Sequence, residues 1–127
     1  MTPARIASYR DLKVWQKGMD LVVASYQLTE TLPRAELYGL VSQIRRAALS
    51  VPSNIAEGHA RAHTREYLRH LSFARGSLVE LETQVLIATR LRYIGESGAK
   101  SILSLTAEIG RMLAGLTRRL KERCPSP

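Results

Sequence analysis

Residues 42–58 read SQIRRAALSVPSNIAEG, and this stretch decides the fold. Its apolar side chains recur every three or four positions, which is the spacing of one buried face of an α-helix. These residues are Ile44, Ala48, Val51 and Ile55. Pro52 lies inside the pattern. A proline ring removes one backbone donor and clashes with the carbonyl four residues earlier, so the sequence predicts a helix that is kinked at Pro52.

The same spacing continues on both sides of this stretch and predicts four helices in all. Pro33 separates the first helix from the second, and short polar connectors precede the third and the fourth. No segment alternates polar and apolar residues over a useful length, so no strand is expected. The predicted helices span about 11–31, 34–58, 65–93 and 99–122.

Four helices with short connections favour a single all-α domain over residues 1–127, an antiparallel up-down-up-down four-helix bundle. Thr64 and Ser97 are the expected N-caps of the third and fourth helices, because a hydroxyl oxygen accepts a hydrogen bond from a free amide at a helix start.

The first helix carries two neighbouring apolar stripes, whereas a four-helix bundle needs only one from each helix. The spare stripe predicts a subunit interface and therefore a homo-oligomer.

The composition is that of a globular protein, with 45% hydrophobic and 24% charged residues. The longest uncharged apolar run is far shorter than the roughly 18 residues of a membrane span, and residues 1–10 lack the apolar core of a secretory signal. The single cysteine, Cys124, cannot form an internal disulfide and fits a reducing compartment. We therefore expect a cytoplasmic protein that does not bind a membrane.

The net charge is +8, and the excess is uneven along the chain. Residues 1–58 carry seven Lys or Arg against five acids, whereas residues 59–127 carry twelve against six. Such a surface attracts phosphates, and it equally serves solubility. If the third helix begins early, three arginines four residues apart form one row on it, and a second cluster lies near the C-terminus. The candidate nucleic-acid contacts are Arg61, Arg65, Arg69, Arg118, Arg119 and Lys121.

The sequence contains no catalytic or metal-binding constellation. His59 and His63 are four residues apart, but they belong to a connector, and the neighbouring arginines would repel a divalent cation. Glu80 and Glu82 are two residues apart and point in different directions on a helix. No serine lies on a nucleophile elbow, and no glycine-rich phosphate loop is present. The sequence thus predicts a protein that is not an enzyme and needs no metal or cofactor.

Polar residues are also embedded in the apolar helical stretches. An ionised group near a core must be paired, because an unpaired buried charge costs several kcal/mol. We expect these residues to be buried, within the bundle or between subunits, and paired in a network that fixes helix register; a ligand or partner site is the alternative. They are Gln43, Arg46, Asn54, Glu57, Arg75 and Glu82.

Three motifs carry a resemblance: RDLKVWQKG at 10–18, SQIRRAALSVPSNIAEG at 42–58 and ARGSLVELE at 74–82. Together they resemble the bacterial family of 23S ribosomal RNA intervening-sequence proteins, over about residues 8–116. The resemblance implies an antiparallel four-helix bundle. That family is similar to the accessory protein of diversity-generating retroelements, a basic homopentameric barrel that binds nucleic acid and a reverse transcriptase. The resemblance therefore implies a ring-shaped homo-oligomer, a pentamer, and nucleic-acid binding.

Two functions follow as hypotheses. The first is a non-enzymatic, basic, oligomeric bundle that binds RNA, DNA or a ribonucleoprotein with little sequence selectivity. The alternative is an oligomeric scaffold or adaptor that binds a protein partner, with the positive charge serving solubility. Cations gathered on one face would favour the first hypothesis, and a large exposed apolar groove without flanking Lys or Arg would favour the second.

Overall fold

The computed structural model describes residues 8–123, which form four long helices and no strand. We number the helices α1 (Lys13–Thr29), α2 (Ser42–His59), α3 (Thr64–Arg90) and α4 (Glu96–Arg123). Three short helical turns accompany them: 3-10 turns at Tyr9–Asp11 and Arg34–Glu36, and a π-helical turn at Leu37–Val41. The all-helical prediction from apolar spacing is confirmed, and Cys124 lies outside the described residues.

The four helices form a bundle in which sequence neighbours run in opposite directions. Helices α1 and α3 each pack against both α2 and α4. Along the α2–α3 pair, Ser50 bonds to Ser77 and Asn54 bonds to His70, so the two helices run in opposite directions. The α1–α4 pair behaves in the same way, since Lys17 forms an ion pair with Glu108 at 3.4 Å and Leu28, later in α1, lies against Gly98, earlier in α4.

The second helix differs from its predicted span at its N-terminal end. Pro33 is extended, with φ −59° and ψ 147°, and the 3-10 and π-helical turns follow it before α2 begins at Ser42. Gly39 departs from helical geometry, with φ −112° and ψ −107°. A glycine tolerates these angles because it has no Cβ, so the apolar spacing of 34–41 continues across a backbone that is not α-helical. Helix α2 then continues through Pro52, and the kink there stays a prediction.

Three other helix ends shift by one to three residues from their predicted positions. His63, with φ −111° and ψ 136°, is the N-cap of α3, and the expected cap Thr64 is its first helical residue. Helix α4 begins at Glu96, so the expected cap Ser97 is already helical. Helix α3 ends at Arg90, three residues short of its predicted end, and Arg92 takes a positive φ of 63° in the turn that follows.

The core is aliphatic and runs the length of the bundle. Removing a Leu or Ile side chain from water contributes about 1.5 to 3 kcal/mol, so these residues dominate the folding free energy. The largest fully buried apolar side chains are Leu21, Ile44, Ile55, Leu71, Leu81, Ile102, Ile109 and Leu113. Ala48 and Ala74 are also fully buried, and their small size lets α2 and α3 approach closely.

Helices α2 and α3 approach each other closely at Gly58. A methyl group on Gly58 would lie 2.8 Å from the Cβ of His70 and 3.1 Å from the Tyr67 ring. We predict that Gly58→Ala lowers the free energy of unfolding by about 1 to 3 kcal/mol, because the two helices must move apart. Urea denaturation followed by circular dichroism measures the change.

Gly110→Ala is the matched control for this variant. Gly110 is also helical, but no atom lies within 4 Å of the position that its Cβ would occupy. Alanine there is expected to raise the free energy of unfolding by about 0.5 to 1 kcal/mol, because glycine is the poorer helix former. Equal stabilisation by both substitutions would contradict the close packing at Gly58.

Candidate nucleic-acid interface

Antiparallel packing places nearly all of the net positive charge of the described residues in one half of the bundle. The Ser50–Ser77 hydrogen bond and the Lys17–Glu108 ion pair mark the level that divides the two halves. The half made of residues 8–20, 51–77 and 108–123 contains twelve Lys or Arg and six acids. The other half, residues 21–50 and 78–107, contains six Lys or Arg and five acids. We call the first the basic half.

The arginine row on the third helix is only partly formed. Helix α3 begins at Thr64, so Arg61 lies in the bend before it and is not on the same helical face as Arg65 and Arg69. Arg61 Nη2 lies 3.1 Å from Glu57 Oε1, an ion pair that partly neutralises it. All three arginines are exposed, and the Arg69 guanidinium lies 5.6 Å from the ring centroid of Phe73.

The C-terminal cations of α4 divide between two surface grooves. One groove, of about 440 Å³, lies between α3 and α4, and Arg75, Arg118 and Lys121 line it. The other, of about 530 Å³, lies between α1 and α4. The cations that line this second groove are Lys13, Arg111 and Arg119. The six predicted contacts therefore share one half of the bundle, but they occupy three separate places in it.

Sequence reasoning missed the contribution of Arg75 to the first groove. It assigned Arg75 to a buried network with Glu82, whereas the side chain is exposed and lies beside the last turns of α4. The signal that could have found it is the antiparallel pairing of α3 with α4, which brings the start of one beside the end of the other.

A polar seam joins α2 to α3 and extends from the dividing level into the basic half. His70 is 9% exposed, and its Nδ1 lies 3.1 Å from Asn54 Oδ1 and 3.8 Å from Glu57 Oε2. Since an amide oxygen only accepts, the Nδ1–H of His70 is the donor. Asn54 donates to Ser50 Oγ at 2.9 Å, and Ser77 donates to the same oxygen at 2.8 Å. We call Ser50, Asn54, His70 and Ser77 the α2–α3 polar seam.

His70 belongs to this seam and lies apart from His59 and His63, which flank the connector between α2 and α3. His70 follows Tyr67 by three residues and precedes Ala74 by four, which places it beside the buried stripe of α3. His59 instead packs edge-on against Tyr67, with ring centroids 5.8 Å apart. Burial raises the pKa of the Tyr67 phenol above its usual value, so that ring carries no charge at neutral pH. Within residues 8–123, no group of three His, Cys, Asp or Glu could hold a metal ion.

The polar residues expected in a buried network fall into two classes. Asn54 and Glu82 are half-buried and hydrogen-bonded, the latter accepting from Thr106 Oγ1 at 2.7 Å. The other four are exposed in the single chain, because each lies about 100° or more around its helix from the centre of the buried face. The bundle therefore does not bury them, and their burial between subunits stays a prediction. These residues are Gln43, Arg46, Glu57 and Arg75.

Helices α1 and α2 share an apolar face that extends across both halves of the bundle. Two adjoining grooves of about 290 and 500 Å³ run along it, and Leu49 lines both. Met19 is 42% exposed and Tyr38 is 92% exposed. The apolar and aromatic residues that line the two grooves are Tyr9, Trp15, Met19, Val22, Tyr26, Leu37, Tyr38, Val41, Leu49 and Pro52. We call this surface the α1–α2 apolar face.

No helix in the described part of the chain combines the length and the apolar character that a membrane crossing demands.

The comparisons with known proteins agree with this architecture. A family model described as 23S rRNA-intervening sequence protein matches residues 10–115. The comparison with curated proteins finds no match. Among solved structures, a protein of unknown function from the S23 ribosomal protein family of Bacteroides thetaiotaomicron is similar, with a TM-score of 0.77 and 23% identity. The alignment covers 82% of this chain and 97% of that chain, and at this identity it supports the fold alone.

Proposed function

The chain belongs to the 23S rRNA-intervening sequence protein family, and we propose that it is a non-enzymatic, oligomeric bundle of the cytoplasm. In this proposal it binds RNA, DNA or a ribonucleoprotein with little sequence selectivity. The observation that carries the proposal is the charge of the basic half, with twelve Lys or Arg against six acids. Cations so gathered attract a polyanion and release its counterions on binding. The resemblance to the accessory protein of diversity-generating retroelements supports the same reading.

Weak sequence selectivity follows from the side chains beside these cations. No aromatic residue lines the α3–α4 groove or the α1–α4 groove. Phe73 is exposed in the basic half, but the Arg69 guanidinium already lies over its ring and His70 packs against its edge. Affinity from stacked bases is therefore a minor contribution, and contacts with the phosphate backbone dominate.

The proposal also includes self-association through the α1–α2 apolar face. Isolated exposed apolar residues are normal, but a continuous patch of them marks an interaction site. Val79 and Leu86 are also exposed, and because they are seven residues apart they lie on one face of α3. A contact between two different surfaces of one chain is heterologous and closes into a ring when its rotation permits. This agrees with the ring of five subunits that the resemblance implies.

The smaller groove of the α1–α2 apolar face has no Lys or Arg in its lining, and it favours a second candidate function, an adaptor for a protein partner. Arg45 and Arg46 flank the larger groove, so an acidic and apolar segment of another protein would fit it. In that case the positive charge of the basic half serves solubility.

We predict that the protein retards short RNA and DNA duplexes, and that the association constant falls steeply with salt. Each phosphate contact contributes about 0.9 to the log–log slope for duplex DNA. Duplexes of unrelated sequence should differ by less than about tenfold in affinity, which is about 1.4 kcal/mol. Fluorescence anisotropy across a salt series measures both quantities. If no complex forms even at about 50 mM salt, the nucleic-acid function is wrong and the adaptor function leads.

The self-association proposal has its own test. We expect the wild-type protein to sediment well above the 14.2 kDa of one chain, and Met19→Glu with Leu49→Glu to return it to the monomer, because two carboxylates would have to be desolvated in the contact. The matched control places the same charges on the exposed outer side of α4, by Ser97→Glu with Ser101→Glu. A wild-type protein that sediments as a monomer at micromolar concentration would rule out the ring.

A further inference from the structure

We propose that the groove between α3 and α4 is the phosphodiester-binding site of the basic half, and that Arg75 is one of its contact residues. This inference rests on the proposed nucleic-acid function and assigns that function to one place. Three cations from two helices meet there: Arg75 from α3, and Arg118 and Lys121 from α4. Ala114 and Thr117 complete the wall between them.

The first step is that these three cations lack acid partners in the described chain. Elsewhere in the basic half, Lys17 pairs with Glu108 and Arg61 pairs with Glu57. Among residues 8–123, no carboxylate lies within ion-pair distance of Arg75, Arg118 or Lys121, although Glu122 is part of the groove rim. Three like charges beside one cavity repel one another, and a bound anion relieves that repulsion.

The second step concerns the shape and chemistry of the wall. Ala114 has a single methyl group and Thr117 carries a hydroxyl, so the space between the cations stays open and contains a neutral hydrogen-bond donor. The planar guanidinium groups of Arg75 and Arg118 match the geometry of two phosphate oxygens, and Lys121 adds a point charge. No aromatic ring is available in this groove to read a base. The groove therefore suits the backbone of a nucleic acid and not its bases.

The third step separates this groove from the other clusters of cations. Arg61 is already paired, and Arg65 and Arg69 lie on an open helical surface. The α1–α4 groove also has three cations, but its wall includes the Asp11 carboxylate and the large apolar side chains of Leu12, Met112 and Leu116. Of these two grooves, the α3–α4 groove is the one that combines three cations without ion-pair partners among residues 8–123, a hydroxyl and the small side chain of Ala114.

The test compares two triple variants of the full chain that lose the same number and kind of charges. The groove variant carries Arg75→Gln, Arg118→Gln and Lys121→Gln. The control variant carries Arg34→Gln, Arg90→Gln and Lys100→Gln, which are exposed residues of the opposite half. All six side chains are exposed, so both variants should fold, and circular dichroism verifies this. Binding of a short DNA duplex is followed by anisotropy across a salt series.

We expect the groove variant to bind on the order of a hundredfold more weakly near physiological salt and to lose about 2 to 3 units of log–log slope. The control variant should lose less than about 1 unit. Arg75→Gln alone should lower the slope by about 0.9. If the wild-type protein binds and both triple variants weaken equally, the groove assignment is wrong and the proposed function stands. If the wild-type protein does not bind the duplex, the proposed function fails and the groove assignment fails with it.

Two further titrations test whether the groove binds the phosphates of a nucleic acid, of a lipid or of the free ion. Inorganic phosphate and vesicles containing an anionic phospholipid are titrated into the wild-type protein and the groove variant. We expect millimolar phosphate to displace the duplex weakly from the wild-type protein, and vesicles to bind neither protein. Vesicle binding that depends on the groove, together with unchanged duplex binding by the groove variant, would overturn the assignment to nucleic acid.

Discussion

The close contact between α2 and α3 is the constraint on which the rest of the structure depends. Gly58 allows the two backbones to approach, and the fully buried Ala48 and Ala74 keep them near one another along the pair. The α2–α3 polar seam then fixes the register, since its hydrogen bonds form only when Ser50 faces Ser77 and Asn54 faces His70. A shift of one helix along the other would bury these polar groups without partners, at about 1 to 3 kcal/mol for each.

That register decides where the charge of the molecule lies. The start of α1, the connector between α2 and α3, and the end of α4 are far apart in sequence, and antiparallel packing brings them to one half of the bundle. Arg75 reaches Arg118 and Lys121 only because α3 and α4 run in opposite directions. A chain with a modest and scattered excess of Lys and Arg thus becomes a bundle with one basic half and one nearly neutral half. For the nucleic-acid binding that we propose, this asymmetry matters more than the total charge of +8, because clustered cations act together on a polyanion.

Much of the fold could be predicted because apolar spacing reports directly on burial. Ile44, Ala48, Val51 and Ile55 are all fully buried, as their spacing requires. The π-helical turn at Leu37–Val41 could not be found in this way, because the break at Gly39 depends on backbone angles that leave the apolar spacing unchanged. The site was harder to predict, since a charge next to a core residue can lie at the core or one step around the helix. The side chains of Arg75 and Glu57 are exposed, whereas the side chain of His70 is buried in the α2–α3 polar seam.

The claim that nucleic acid binds the basic half is tested most directly by lysine footprinting of the wild-type protein. The chain has four lysines: Lys13, Lys17 and Lys121 in the basic half, and Lys100 in the other. Acetylation is measured by mass spectrometry with and without a saturating DNA duplex. The account predicts that the duplex slows acetylation of Lys121 most and leaves Lys100 unchanged, because phosphate contacts shield only the basic half. Equal protection of all four lysines, or protection greatest at Lys100, would contradict it.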